Sequence, residues 1–173
     1  MARIEETARA IFRWEGGWSN HKNDRGGATM MGVTLNTYKA YCRKKGKAAP
    51  TADDLKRITR ETAEDVLRVL FWQPLKADSI QNQSVADIIV DNCWGSGLSY
   101  LRIVQEVLGV QRDGIMGPKT LAAINGADQR TLHARLVERR RVYYSNVVMA
   151  NPSQKVFLKG WLNRLADFKY KEA

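Results

Sequence analysis

Two carboxylates and a threonine carry the chemical potential of this chain: Glu15, Asp24 and Thr29, spaced Glu15-x8-Asp24-x4-Thr29. Cleavage of a glycosidic bond needs a protonated acid at the leaving oxygen and a second carboxylate that activates water or stabilises positive charge. The acid must keep its proton near neutral pH, which apolar surroundings favour by penalising the charged form. Glu15 lies beside Trp14 and Trp18 and eleven residues beyond Ile4. At 3.6 residues per turn it continues the stripe of Ile4, Ala8, Ile11 and Phe12. Asp24 sits in Asn23-Asp24-Arg25-Gly26-Gly27, a polar loop in which it should stay ionised. Contrasting settings of this kind let one carboxylate act as acid and the other as base. Plainer uses exist for both: Glu15 as a helix-end residue paired with an arginine, Asp24 bonding its own turn.

The elements that must hold these residues are mostly helical. A helix from Arg3 to Glu15 is followed by turn chemistry through Gly27, and Ala28 to Val33 reads as a strand of a small hairpin. Thr34 is placed as an N-cap for a helix to about Arg43, and Thr51 with Asp54 as a capping box. Thr59 opens a helix that Pro74 ends. Val85 to Asn92 is helical, with breaks at Gly95 and Gly97, and Leu98 to Leu108 is closed by Gly109. Pro118 starts a short helix ending at Gly126. Long helices are expected from Asp128 to about Val147 and from Ser153 to Tyr170. With no linker visible, residues 1–90 form an expected catalytic part and 91–173 a helical part packed into the same globule.

Composition narrows the function classes. The 173 residues are 44% hydrophobic, enough to bury a core. No early stretch approaches the roughly 20 apolar residues of a membrane span. Met1-Ala2-Arg3-Ile4-Glu5-Glu6 lacks the basic-then-apolar order of a signal peptide. Synthesis as a soluble cytosolic protein is therefore expected, with no stable membrane insertion. Cys42 and Cys93 read as free buried thiols, and His21 and His133 have no ligand spacing, so neither metal nor cofactor is expected. The net charge of +10 attracts polyanions such as nucleic acid, anionic lipid or bacterial wall polymer.

Glu15-Gly16-Gly17-Trp18-Ser19-Asn20, Asp24-Arg25-Gly26-Gly27-Ala28-Thr29 and Gly32-Val33-Thr34 together resemble glycoside hydrolase family 108. That is a group of bacterial and phage N-acetylmuramidases, some labelled secretion activators. Trp18 stands where tyrosine is commoner in the family, and Arg25 where proline is common. The resemblance implies a mainly α, lysozyme-like fold with a small β-hairpin near the active site. It implies hydrolysis of the β-1,4 bond between N-acetylmuramic acid and N-acetylglucosamine, endolysin-like, with Glu15 as acid and Asp24 as base. The carboxylate spacing is also similar to the Glu, Asp and Thr triad of phage-type lysozymes, with the threonine one residue nearer. By that similarity Thr29 helps Asp24 hold the attacking water and the anomeric centre inverts, with Thr34 as the alternative threonine. Trp18, Asn20, Gly26, Gly27 and Thr34 are the expected substrate contacts.

Farther along, Asp113-Gly114-Ile115-Met116-Gly117-Pro118-Lys119-Thr120 is similar to the DG-x-x-GP-x-T core of peptidoglycan-binding domains, which makes Asp113 and Gly114 further candidates. The alternative is a turn and a helix start with no ligand. The implied partner is bacterial peptidoglycan, met in the periplasm or wall after release, by a monomer. Two rival readings are a non-catalytic wall-binding protein and a regulator of secretion or transcription. Arg135, Arg139, Arg140 and Arg141 could give one helix a DNA-binding face, but no helix-turn-helix pattern accompanies them. A solvated face drawn to wall polymer accounts for them without nucleic acid.

Overall fold

The computed structural model describes residues 1–19 and 27–172. The fold is mainly helical and lysozyme-like, with one small antiparallel hairpin. Its axis is α5 (Gln83–Ser96), which starts where the Asn82 side chain accepts from the Val85 N–H. From Val85 to Val90 its apolar residues are almost fully buried all round, as expected of a helix surrounded by others. Against it pack α1 (Ile4–Phe12) and α8 (Gln129–Ala150). The stripe of Ile4, Ala8, Ile11 and Phe12 faces the core as the spacing predicts. Thr7 on the same face donates to Asp87 at 2.5 Å and ties α1 to α5.

Strands β1 (Thr29–Met30) and β2 (Val33–Thr34) pair in the register Thr29↔Thr34 and Met30↔Val33. That leaves Met31 and Gly32 as the two loop residues, both at positive φ, +47° and +77°. This is the left-handed pair that a tight two-residue hairpin requires. Gly32 adopts it freely, whereas at Met31 it costs on the order of 1–2 kcal/mol. Helices α2 (Leu35–Lys44), α3 (Ala52–Lys56) and α4 (Arg60–Leu67) follow, capped by Thr34, Thr51 and Thr59. The capping box of Thr51 and Asp54 is present. Beyond α4 the chain widens into a π-helical segment, Arg68–Trp72, in which Phe71 and Trp72 are buried in the core.

The second half contains α6 (Leu101–Leu108), closed by Gly109 at φ +71°, then α7 (Pro118–Gly126), α8 and α9 (Lys155–Asp167). Two expectations are corrected here. Gly95 does not break α5, which continues to Ser96 and ends at Gly97, φ +83°. The last helix does not run from Ser153 to Tyr170. A 3-10 turn, Pro152–Gln154, precedes α9, and the helix ends at Asp167. The expected division at residue 90 falls inside α5, which is continuous there. Among the described residues, no helix is long and apolar enough to cross a membrane.

Candidate active site

Helix α1 ends at Phe12, and Glu15 follows in the turn, its N–H donating to the Phe12 carbonyl. The Glu15 side chain is only 14% exposed. Its Oε1 accepts from Trp94 Nε1 at 2.9 Å and from Arg164 Nη1 at 2.7 Å. Trp94 cannot drift, because Phe12 and Phe71 meet its ring edge-to-face at centroid distances of 5.5 and 5.2 Å. Arg164 comes from α9 and is held by Asp91, whose Oδ1 accepts from Nε at 3.0 Å and from Nη2 at 2.7 Å. Asp91 and Trp94 are three residues apart on α5 and so share a face. Three helical segments far apart in sequence thus converge on one carboxyl group.

Burial on its own pushes the Arg164 guanidinium toward losing its proton. Asp91 first and Glu15 second more than offset this and hold it above its ordinary value. One guanidinium serves two acids, and Asp91 takes two of its three hydrogen bonds. Among the described residues both donors to Glu15 use Oε1, and Oε2 lies against the hairpin turn. A Cβ on Gly32 would stand 2.5 Å from Glu15 Cδ and from Oε2, so this turn tolerates no side chain there. The positive φ of Gly32 excludes one independently.

Glu15, Gly32, Thr34, Asp91, Trp94 and Arg164 line a cleft of about 420 Å³. The rest of the lining comes from Gly95, Ser96 and further residues of α8 and α9, among them Arg140, Tyr144 and Trp161. Thr34 reaches the cleft while also acting as the expected N-cap, its Oγ1 accepting from Thr37 N–H at 3.1 Å. Thr29 is not part of this lining. It bridges to Ser19 through paired backbone bonds of 2.8 and 2.9 Å, with a long side-chain bond of 3.4 Å to the Ser19 carbonyl. Trp18 is half-exposed, with the Lys56 ammonium 5.7 Å from its ring centroid, and it does not line the cleft. Gly27 adopts φ +64° just before the hairpin. Asn20, Asp24 and Gly26 lie outside the described residues.

Asp113 and Gly114 are placed elsewhere, in a turn organised by Gln105, whose side chain is fully buried. Gln105 Nε2 donates to Asp113 Oδ1 at 2.7 Å, and its Oε1 accepts from the Gly114 N–H at 2.8 Å. The same amide reaches the Ile115 carbonyl and Thr120 Oγ1, each at 3.1 Å. The Ile115 N–H, and after it Gln105, hold the Asp113 carboxyl below its usual range. Gly114 sits at φ +77°, where a Cβ would crowd Arg102. These bonds are internal to the motif, the pattern of a turn and helix start.

Asp91, Trp94, Arg140 and Arg164 were not legible as site residues, although signals existed. Asp91 is a carboxylate inside an apolar helical run, which demands a buried partner. Arg140 was expected on a solvated face, but it is 3% exposed. The Cys42 and Cys93 reading holds: both are free and buried, and burial pushes the Cys93 thiol up to about 12.

Comparison with known proteins adds three findings. The family model described as glycosyl hydrolase 108 matches residues 8–97, and one described as a predicted peptidoglycan domain matches residues 99–166. The chain is similar to a solved structure titled "Structure of Brucella abortus SagA", at 28% identity and a TM-score of 0.82. That match covers 95% of this chain and 90% of the other. No curated protein matches the chain.

Proposed function

We propose that this chain, which belongs to the glycosyl hydrolase 108 family and is a glycoside hydrolase directed at peptidoglycan, cleaves the β-1,4 bond between N-acetylmuramic acid and N-acetylglucosamine by inversion. Glu15 delivers a proton to the leaving oxygen. Asp24, assisted by Thr34, the threonine that lines the cleft, draws a proton from the attacking water. The protein works as a monomer in the periplasm or wall after its release from the cell that made it.

The observation that carries this reading is the fixing of Glu15 in the cleft. Trp94 and Arg164 fix one oxygen by two hydrogen bonds, and the bare turn at Gly32 leaves room for the other. General acid catalysis needs this combination of a located donor and an accessible proton. Arg164 stays anchored to Asp91 whether Glu15 is charged or neutral, so the acid can give up its proton without the site collapsing. The developing carboxylate then finds a guanidinium already in place.

Digestion of purified sacculi followed by mass analysis of the released fragments tests the proposal. Fragments ending in reducing muramic acid are expected. Reducing glucosamine ends would assign the other glycosidic bond, anhydro ends would assign lytic cleavage, and no fragments would leave a wall-binding protein.

A further inference from the structure

Arg140 is a buried cation that lines the same cleft as Glu15. Its guanidinium is caged by three tyrosine rings, with the carbon 4.7 Å from the centroid of Tyr100, 4.9 Å from Tyr143 and 4.5 Å from Tyr144. Nη1 donates to Ser96 Oγ at 2.8 Å, while Nε is buried without a hydrogen-bond partner. Among the described residues no carboxylate forms an ion pair with it. Buried charges are ordinarily paired, because leaving water without a counter-charge is costly. Cation–π contacts offset part of that cost and leave the positive charge in place.

The neighbourhood of this charge suits a sugar. Arg140, Ser96, Tyr143, Tyr144 and Trp161 all line the cleft. Tyr144 is stacked on Trp161 at 5.1 Å with 23° between planes, and Trp161 on Phe157 at 6.0 Å, so Tyr144 and Trp161 border the cleft as part of an aromatic column. Gly95 opens the approach, since a Cβ there would stand 3.1 Å from Arg140 Nη2. The charges point the same way. Both described carboxylates of the cleft, Asp91 and Glu15, pair with Arg164 and not with Arg140.

We propose that the part of the cleft around Arg140 is a subsite for an acidic sugar. Arg140 binds the carboxylate of a muramic acid unit while Trp161 and Tyr144 border its ring. The inference rests on the peptidoglycan reading and adds to it the group that selects a muramic acid unit over a neutral glucosamine. Two sources share the chemistry: the lactyl carboxyl group where it is free, and the nearest carboxylate of the peptide stem where the lactyl group is amidated.

The test is binding, followed by tryptophan fluorescence or calorimetry on the intact protein and independent of any cleavage. The probes are the glucosaminyl–muramic acid disaccharide, its methyl ester, its dipeptide-bearing form and di-N-acetylchitobiose. A charge-assisted bond to a buried guanidinium should favour the acid over its ester and over chitobiose by about tenfold or more. In Arg140→Gln that preference should fall to within about twofold. If Arg140→Gln does not fold, the acid-against-ester comparison on the unsubstituted protein carries the test by itself. Weaker binding of the dipeptide form than of the free acid assigns the lactyl group, and equal or tighter binding assigns the stem. Equal affinity for acid, ester and chitobiose, or a preference that survives in folded Arg140→Gln, overturns the subsite. Selective binding without cleavage of sacculi would refute the hydrolytic reading and leave the subsite standing. Cleavage without selective binding would do the reverse.

Discussion

Around Gln105 the buried polar groups are spent on one another, while around Arg164 they are aimed at a space. Gln105 meets Asp113, Gly114, Ile115 and Thr120 and spends its own amide inside the motif. Arg164 spans Asp91 and Glu15, and Glu15 keeps an oxygen beside a bare glycine in the wall of a cleft. A closed network contributes to stability and fixes one conformation, whereas an open one holds a reactive group in place for something yet to arrive. Both networks include residues of motifs that the sequence singled out, so motif likeness alone does not say which kind is present.

The contrast breaks most sharply at Glu15. Glu15→Gln keeps an acceptor for Trp94 and Arg164 but has no acidic proton. Turnover on sacculi should fall by about 10²–10⁴-fold. Because Arg164 keeps Asp91, the loss of stability should stay within about 1–2 kcal/mol, read by thermal or urea unfolding. Turnover within a factor of a few of the unsubstituted protein would mean that the open network is not the catalytic one.

Gly32→Ala sharpens the same point from the opposite side of the carboxyl group. The methyl group would enter at 2.5 Å from Glu15 Cδ and must push the acid aside. A displacement of about 1 Å can cost on the order of 10²-fold in turnover. Steady-state kinetics should show the loss mainly in kcat. An unchanged kcat would show that the position of Glu15 against the hairpin does not matter.

In the closed network the expected effect moves to stability. Gln105→Leu fills the space but leaves the Gly114 N–H, Asp113 and Thr120 without their common partner. A loss of about 3 kcal/mol is expected in urea unfolding, with kcat per folded molecule unchanged. A smaller effect belongs to His133, buried in the second half and without a partner at Nε2. Burial depresses its pKa below the ordinary 6.5, against the opposing bond with the Phe168 backbone. The unfolded chain therefore takes up the proton first as pH falls. Stability is fully present above about 6.5 and is lost below it, by about 1 kcal/mol at most by pH 5.5. His133→Gln should flatten the dependence of the melting temperature between pH 7.5 and 5.5, and an equally steep curve would assign it to other groups.

Much of the scaffold was legible from residue types. The stripe on α1, the caps at Thr34, Thr51 and Thr59, Gly109 as a helix stop and Pro118 as a start are local signals, and each is where those signals put it. Gly95 misled because burial of α5 against its neighbours outweighs one glycine's preference. At the site, the place of Glu15 was legible, but its partners were not. Arg164 lies 149 residues away, and no periodicity reveals a contact made only when α9 packs. Arg140 was hidden among Arg135, Arg139 and Arg141, since a run of arginines looks solvated and only the helix phase decides which one turns inward. Glu15 was expected among apolar groups, yet the arginine partner of the plainer reading is there as well. Oε1 takes the arginine and Oε2 lies against the hairpin turn.

The most direct test sets Glu15→Gln and Gln105→Leu side by side in one preparation, with sacculus turnover and melting temperature read for each. The account predicts a crossed result. Glu15→Gln should melt close to the unsubstituted protein and release essentially no fragments. Gln105→Leu should melt several degrees lower and, at a temperature where it is folded, release fragments at the unsubstituted rate. If folded Glu15→Gln still clears sacculi, or if Gln105→Leu loses turnover while fully folded, the division between a catalytic cleft and a structural turn is contradicted.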